Sequence, residues 1–376
     1  MKTATITLHA SNNNGSFFQA YALQKVLVLY FGIDNQIIDY QSQKNIHLYS
    51  VFRPIHSVRD MAKNLISLLH CNAIKKRNQR FSDMRARYFH VTERCSTIDD
   101  AVRIADQFEL VIAGSDQIWN TGAPDFSEAY LLPRCSSRKI AYGVSFGSFL
   151  ADSRISEYKE VIQAFDVVSA REESARKYLE SMISREVDRV IDPTLLLKPK
   201  DYEGMIQNTP LVSGDYIFFY SISCPSEVLQ VAKKMADQMG IKIITVFASF
   251  HSVICRKYGI EIRFDAGPSE FLNLIRNAKL VLTNSFHGTA FSIIYRRPFF
   301  HICKTIDGEL QRDERINDII DALELQECNI GINSIPKSLP DIDWEKVAQK
   351  KEEMKRHAFE YLNRALRRPK EKKVSR

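Results

Sequence analysis

The sequence predicts an α/β protein made of two Rossmann-like, doubly wound domains that face each other across a cleft. Three observations carry this reading. Short apolar runs such as residues 110–113 (LVIA) and 280–282 (LVL) are flanked by polar residues, as parallel strands buried on both faces must be. Several of these runs lead through a polar or Gly-containing turn into a segment with apolar residues at helical spacing. This strand and helix alternation occurs twice, interrupted at residues 198–215 by Pro199, Gly204, Pro210 and Gly214.

At 376 residues the chain exceeds one ordinary core. We divide it into a domain at 1–198, a second at 215–340, and an amphipathic helix with a basic tail at 343–376. A hydrophobic content of 45% with 26% charged residues is that of a soluble globular protein. No apolar run reaches the roughly 18 to 20 residues of a membrane span, and the N-terminus lacks the features of a secretory signal. The expected location is therefore cytoplasmic.

The seven cysteines are odd in number and contain no CxxC pair, so reduced thiols are expected rather than a disulfide framework or a metal site. The formal charge is +7, and residues 350–376 alone hold eleven Lys or Arg against four Glu. Such a tail suits peripheral contact with an anionic membrane face better than a nucleic-acid groove. The competing reading is a solvated helix end with a disordered terminus.

Taken in order, residues 3–10 read as a first strand and 11–16 as a polar turn. There Asn13, Asn14 and Gly15 can offer amides and N–H groups to a sugar or phosphate. Residues 17–30 form a helix with Phe18, Ala22, Leu23, Val26, Leu27 and Tyr30 on one face. The turn is not GxGxxG, so a dinucleotide fingerprint is absent. Residues 33–40 give the second strand. Two helical patterns follow within 51–90, with Lys75, Lys76, Arg77, Arg80, Arg85 and Arg87 opposed only by Asp83, read as a solvated face, the alternative being a hold on an anionic acceptor.

A capped helix at 97–107 leads into the strand 110–113 and then into Gly114, Ser115, Asp116, Gln117, Ile118, Trp119 and Asn120. Trp119 is suited to stacking on a sugar ring and Asp116 to accepting a hydroxyl proton; the alternative is a turn in which Asp116 caps a helix. Strands are expected at 139–147 and 166–170. Arg171 follows, placed either to grip a carboxylate or phosphate bidentately or to form a plain ion pair.

The second half repeats the scheme with strands at 216–222 and 241–247, helices at 225–239 and 268–277, and the strand 280–282. A loop at 283–289 (TNSFHGT) then precedes a helix at 289–295. His287 would sit at the mouth of the sheet, with Gly288 allowing close approach. The alternative is a turn capped by Ser285 or Thr289 in which the imidazole meets a carbonyl. A short strand at 298–301 and a long helix at 343–367, packing back across the first domain, complete the chain.

With these pieces assembled, the chain resembles the polysaccharide pyruvyl transferase family over most of residues 10–305. The likeness rests on the Asn/Gly turn with FQAYALQ (18–24), and on AGSDQIWN, YGVSFG, VSAREESA, VIDPTLLL and TNSFHGTAFSIIYRRPF in that order. The resemblance implies a fold like that of the two-domain B-type glycosyltransferases. It also implies transfer of pyruvate from phosphoenolpyruvate onto a sugar diol as a ketal, with no metal and no cofactor beyond that co-substrate.

By the same resemblance His287 and Arg171 contact the donor, His287 as proton donor to the enol carbon or as phosphate ligand and Arg171 as anion clamp. The expected donor side is Arg171, Ser285, His287, Gly288, Thr289, Arg296 and Arg297. The expected acceptor side is Asn13, Asn14, Gly15, Gln19, Ser115, Asp116, Gln117 and Trp119, with Asp116 as a catalytic carboxylate. Many relatives carry an Arg where this chain has Ser285; either Arg296 or Arg297 supplies that charge, or the donor is held differently. The partners implied are phosphoenolpyruvate and a glycan or lipid-linked oligosaccharide, and no nucleic acid. Two other readings stand beside this one: a nucleotide-sugar glycosyltransferase of the same architecture, and a non-catalytic glycan-binding assembly protein.

Overall fold

In a computed structural model, which describes residues 1–52, 54–55, 57–147, 154–221, 225–246, 252–306, 309–311 and 313–367, the chain forms two sheets with helices on both faces. The first sheet is wholly parallel, in the order β3-β2-β1-β4-β5-β6-β7. Its strands are β1 (Thr3–Ile6), β2 (Asn35–Tyr40), β3 (Val91–Cys95), β4 (Leu110–Ala113), β5 (Arg138–Val144), β6 (Val167–Ala170) and β7 (Asp188–Arg189).

The second sheet runs β10-β9-β8-β11-β12, with β14 parallel and β13 antiparallel to β12. Its strands are β8 (Tyr216–Tyr220), β9 (Lys242–Thr245), β10 (Ile260–Ile262), β11 (Leu280–Thr283), β12 (Phe299–Ile306), β13 (Glu309–Gln311) and β14 (Asn329–Gly331). Strand order reverses between β1 and β4 in one sheet and between β8 and β11 in the other. Crevices form at such reversals, at the carboxyl ends of the strands.

The first helix, Asn14–Phe31, is buried along most of its length because it is wedged between the two sheets. The Phe18 ring lies 5.0 Å from Phe291 and 5.9 Å from Phe271, both from the second half, and 6.0 Å from Tyr202 of the connecting segment. One continuous apolar core therefore runs through both halves. The connection around 198–215 is no free linker: Tyr202, Met205, Ile206 and Val212 are buried in that same core.

The C-terminal helix, Trp344–Leu366, returns across the first domain as expected. Tyr361 Oη donates to Ala141 O at 2.6 Å, and Arg138 Nη2 donates to Ala365 O at 2.8 Å. The last basic stretch, 368–376, lies outside the described residues. Among those described, no helix is long and apolar enough to cross a membrane.

Two boundaries bear on the site. The first helix starts at Asn14, with Asn13 as its cap, and the helix after β11 is Phe286–Ile294. His287 and Gly288 thus lie in a helical first turn and not in a loop. The chain can coil this early because Thr283 Oγ1 receives the Ser285 N–H at 3.0 Å, while Gly288 packs onto Thr283, where a Cβ would stand 2.2 Å from that same oxygen.

Candidate active site

The N-terminus of the first helix meets the N-terminus of helix Phe286–Ile294 between the two reversal points. Their contact is Gly15 against His287: a Cβ at position 15 would lie 2.2 Å from His287 Nδ1. Only a hydrogen at that position lets the imidazole lie there. Asn13 Oδ1 caps the first helix by accepting from Gly15 N at 2.8 Å and Ser16 N at 3.4 Å. Ser285, the N-cap of the second helix, makes no side-chain capping bond.

Arg171 follows β6 and is buried among three carboxylates. Its Nη1 donates to Asp192 Oδ2, its Nη2 lies 3.5 Å from Asp116 Oδ1, and its Nε lies 3.9 Å from Glu172 Oε1. Phe286 covers the guanidinium at 5.1 Å. Burial works against the Arg171 charge, but Asp192, Glu172 and Asp116 more than offset it, so its pKa rises.

Asp192 is sealed at 2% exposure and also accepts from Thr194 N at 2.9 Å and Thr194 Oγ1 at 2.7 Å. Burial alone would raise its pKa; Arg171 and then His287 outweigh that and hold it well below the usual carboxylate range. His287 Nε2 stands 3.7 Å from Asp192 Oδ2, an ion-pair distance too long for a direct hydrogen bond, and among the described residues Nε2 has no hydrogen-bond partner. Asp116 sits at φ +76°, a strained setting for a non-glycine, and accepts from Ser16 Oγ at 2.9 Å. Glu172 accepts from Ser145 Oγ at 2.6 Å, and burial raises its pKa. A cavity of about 220 Å³ adjoins this group, lined by Arg171, Asp192, Phe286, Arg189, Arg315 and His357 among others.

Of the residues picked out from sequence, the structure brings together His287, Arg171, Asp116, Gly15, Asn13 and Asn14, with Ser285 and Gly288 beside them. Gln117 is half-buried one position beyond Asp116 and accepts from Asn120 Nδ2 at 2.9 Å. Others are displaced from the cleft. Trp119 has 0% exposure, donates Nε1 to Tyr130 O at 3.3 Å and packs edge-on against Phe165, so it is a core residue and no sugar can stack on it.

Gln19 is equally sealed beneath the turn, its amide donating to Thr7 Oγ1, Leu8 O and Ser16 O. Ser115 is buried and donates to Gly143 O at 3.1 Å, while Thr289 faces His301 at 3.4 Å. Arg296 and Arg297 follow the far end of the nine-residue helix, roughly 13 Å along its axis from His287. Arg296 pairs there with Glu345 at 2.6 Å. Neither can replace a charge at position 285, because the helix carries them away from its N-terminus.

Of the three carboxylates around Arg171, sequence reasoning missed Asp192. Asp192 carried one signal, an Asp-Pro step directly after an apolar run, but nothing in the sequence linked it to Arg171. It also read Arg77 and Arg85 as a solvated face. Instead, in helix Cys71–Tyr88, Arg77 Nη2 donates to Asn12 O, and both Arg85 terminal nitrogens lie 3.2 Å from Asn12 Oδ1. Burial pushes each guanidinium down to about 10, still charged at neutral pH. Among the described residues no carboxylate lies within 4.0 Å of Arg77; Tyr220 and Tyr49 are its electrostatic neighbours.

The fold has known counterparts. S. aureus MnaA, solved with UDP, superposes with a TM-score of 0.53 at 10% identity over 98% of this chain and 99% of that one. The UDP-GlcNAc 2-epimerase of Methanocaldococcus jannaschii gives 0.50 at 14% identity over 97% and 99%. At such identity the likeness concerns architecture alone, two Rossmann-like domains of the B-type glycosyltransferase kind. No curated protein matches the chain significantly. The family description Polysaccharide pyruvyl transferase matches residues 13–302, a stretch that includes the Asn13 cap, Asp116, Arg171, Asp192 and His287. The chain is a member of the polysaccharide pyruvyl transferase family.

Proposed function

We propose that this transferase moves pyruvate from phosphoenolpyruvate onto two hydroxyls of a sugar in a surface polysaccharide or cell-wall precursor, forming a ketal and releasing phosphate. The carrying observation is the convergence of His287 and Arg171, from different domains, on the single buried Asp192.

The donor has a carboxylate, a phosphate and a nucleophilic methylene carbon. In the reading proposed, the uncapped first turn at Ser285 and the compensation-poor Arg77 attract its anionic groups. Arg171, held in place by its carboxylates, presents the guanidinium edge. His287, facing Asp192, gives a proton to the methylene carbon as the first sugar hydroxyl adds to the adjacent carbon. Asp116 accepts that hydroxyl's proton. The carbon–oxygen bond to phosphate then breaks, the second hydroxyl closes the ring, and its proton leaves with phosphate. The first domain takes the acceptor through Asp116 and reaches the donor with Arg171 and Arg77, while the second brings His287 to the donor.

The test is incubation with phosphoenolpyruvate and a panel of glycans, following phosphate release and the ketal methyl signal by NMR, with His287→Ala as control. Release and ketal formation that vanish in the variant support the reading. Tight binding of a nucleoside diphosphate, with neither phosphoenolpyruvate binding nor phosphate release, would overturn it in favour of a nucleotide-sugar glycosyltransferase.

A further inference from the structure

Helix Val58–Leu69 is amphipathic the wrong way round for a monomer in water. Met61, Leu65, Leu68 and Leu69 fall on one stripe at i, i+4, i+7 and i+8, and they are 56%, 61%, 60% and 73% exposed. Phe52 and Ile55, at 47% and 59%, extend the apolar surface just before the helix. The polar residues Asp60 and Asn64 on the other side are half-buried. An exposed apolar stripe of this kind marks a face that is covered when the protein works.

Two observations say what covers it. Residues 43–88 hold ten Lys or Arg against two Asp, a formal +8, so the remainder of this +7 chain sums to −1. Lys44 and Lys75 are exposed there. A second copy of the chain on this face would bring two such segments together and repel. A leaflet of acidic lipid offers apolar depth and negative charge at once.

The second observation is position. His70, at the end of the helix, stacks on Phe264 with ring centroids 3.9 Å apart, and Lys76 and Arg80 reach Asp265 at 3.0 and 3.2 Å. In the same helix as Lys76, Arg77 and Arg85 hold Asn12 at the cleft. The apolar stripe therefore lies at the rim where both domains and the cleft meet.

We infer that this face docks the protein on an anionic membrane leaflet. Phe52, Ile55, Met61, Leu65, Leu68 and Leu69 enter the boundary between headgroups and acyl chains, and exposed lysines of this segment, Lys44 and Lys75, meet lipid phosphates. Docking turns the cleft rim toward the membrane, where a glycan on a lipid anchor can enter. That delivery role rests on the pyruvyl transfer reading; the docking does not.

Flotation of the full chain with phosphatidylcholine vesicles, with or without about a third phosphatidylglycerol, tests it. The chain should float with the anionic vesicles, less at high salt, and little with the neutral ones. Leu65→Ser/Leu68→Ser/Leu69→Ser should lower binding at least about tenfold with an unchanged melting midpoint, since all three side chains are exposed. Removing residues 368–376 should leave most binding intact. Absence of flotation, equal flotation of the triple variant, or loss of binding on removal of the tail alone would overturn the inference. So would a dimer that the triple variant splits without any vesicle binding, which would make a second copy the occupant. Phosphate release with a soluble acceptor is indifferent to all of these, so failure of docking and failure of the proposed reaction are told apart.

Discussion

Oδ2 of Asp192 lies 3.7 Å from Nε2 of His287 and accepts from Nη1 of Arg171, so one sealed carboxylate faces a nitrogen side chain from each half of the molecule. Asp192→Asn keeps the shape and the oxygen facing Thr194 but removes the charge. Breaking a buried pair from one side costs about 3–5 kcal/mol. Arg171 keeps Asp116 and Glu172 nearby, so a loss of about 3 kcal/mol, at the lower end of that range, is expected in urea denaturation. The sign with pH follows from the depressed Asp192 pKa: its contribution is full above the unfolded carboxylate value, about 4, and fades as pH falls toward the folded value. The variant should therefore lose less stability than the parent on acidification below about pH 4.

His287→Ala should lower the melting midpoint, because a buried ring beside Asp192 is lost, and lower kcat for phosphate release per folded molecule by about 10²- to 10⁴-fold, the usual contribution of a general acid. If the imidazole instead serves only as a phosphate ligand, KM for the donor rises and kcat holds. Steady-state kinetics separate the two roles.

Gly15→Ala probes the approach of the two helix starts. Alanine suits a helix better than glycine, by about 1 kcal/mol, so no loss of helicity is expected. Its methyl would fall 2.2 Å from His287 Nδ1, however, and the imidazole must move. A displacement on the order of 1 Å costs about 10²-fold in rate. The expected outcome is a folded protein with kcat reduced by about that factor. Undiminished kcat would show that the imidazole position is not critical.

The architecture was legible because buried parallel strands announce themselves: LVIA at 110–113 and the helix at 268–277 coincide with β4 and Pro268–Asn277. Strand β3 (VTERC) was missed because it is an edge strand, mostly exposed, with no apolar periodicity to detect. At the site, His287, Arg171 and Asp116 could be picked out by residue type and by their place at strand ends. Trp119 had the same credentials and lies in the core, since a tryptophan at a strand end reads alike whether it faces in or out. Asp192 and Arg77 depend on packing between segments far apart in the chain, which no local pattern encodes.

Arg296→Ala follows from the same geometry. Its guanidinium pairs with the exposed Glu345 at a helix start, across the full helix from His287. Donor KM should stay within about twofold of the parent and stability within about 0.5 kcal/mol, as for other exposed ion pairs. A tenfold rise in donor KM would place the anion site at the wrong end of the helix.

His301 supplies a pH dependence of different origin. It lies on β12 beneath helix Phe286–Ile294, 4% exposed, with Nδ1 3.4 Å from Thr289 Oγ1. Burial pushes its pKa down to about 4 from the ordinary 6.5, with Arg315 adding to the shift and Asp313 opposing it. Between those two values the unfolded chain binds a proton that the folded protein refuses, so acidification favours unfolding. The sign is opposite to that of a histidine gaining a carboxylate partner: stability is full above about pH 6.5, declines as pH falls, and stops declining on this account near pH 4. At about 1.4 kcal/mol per pH unit the window amounts to about 3 kcal/mol. His301→Gln keeps a polar group for Thr289 and cannot take up the proton. Unfolding free energies of parent and variant, measured between pH 7 and pH 4, should converge at the acid end by about that amount; parallel curves would mean that His301 is solvated enough to titrate normally.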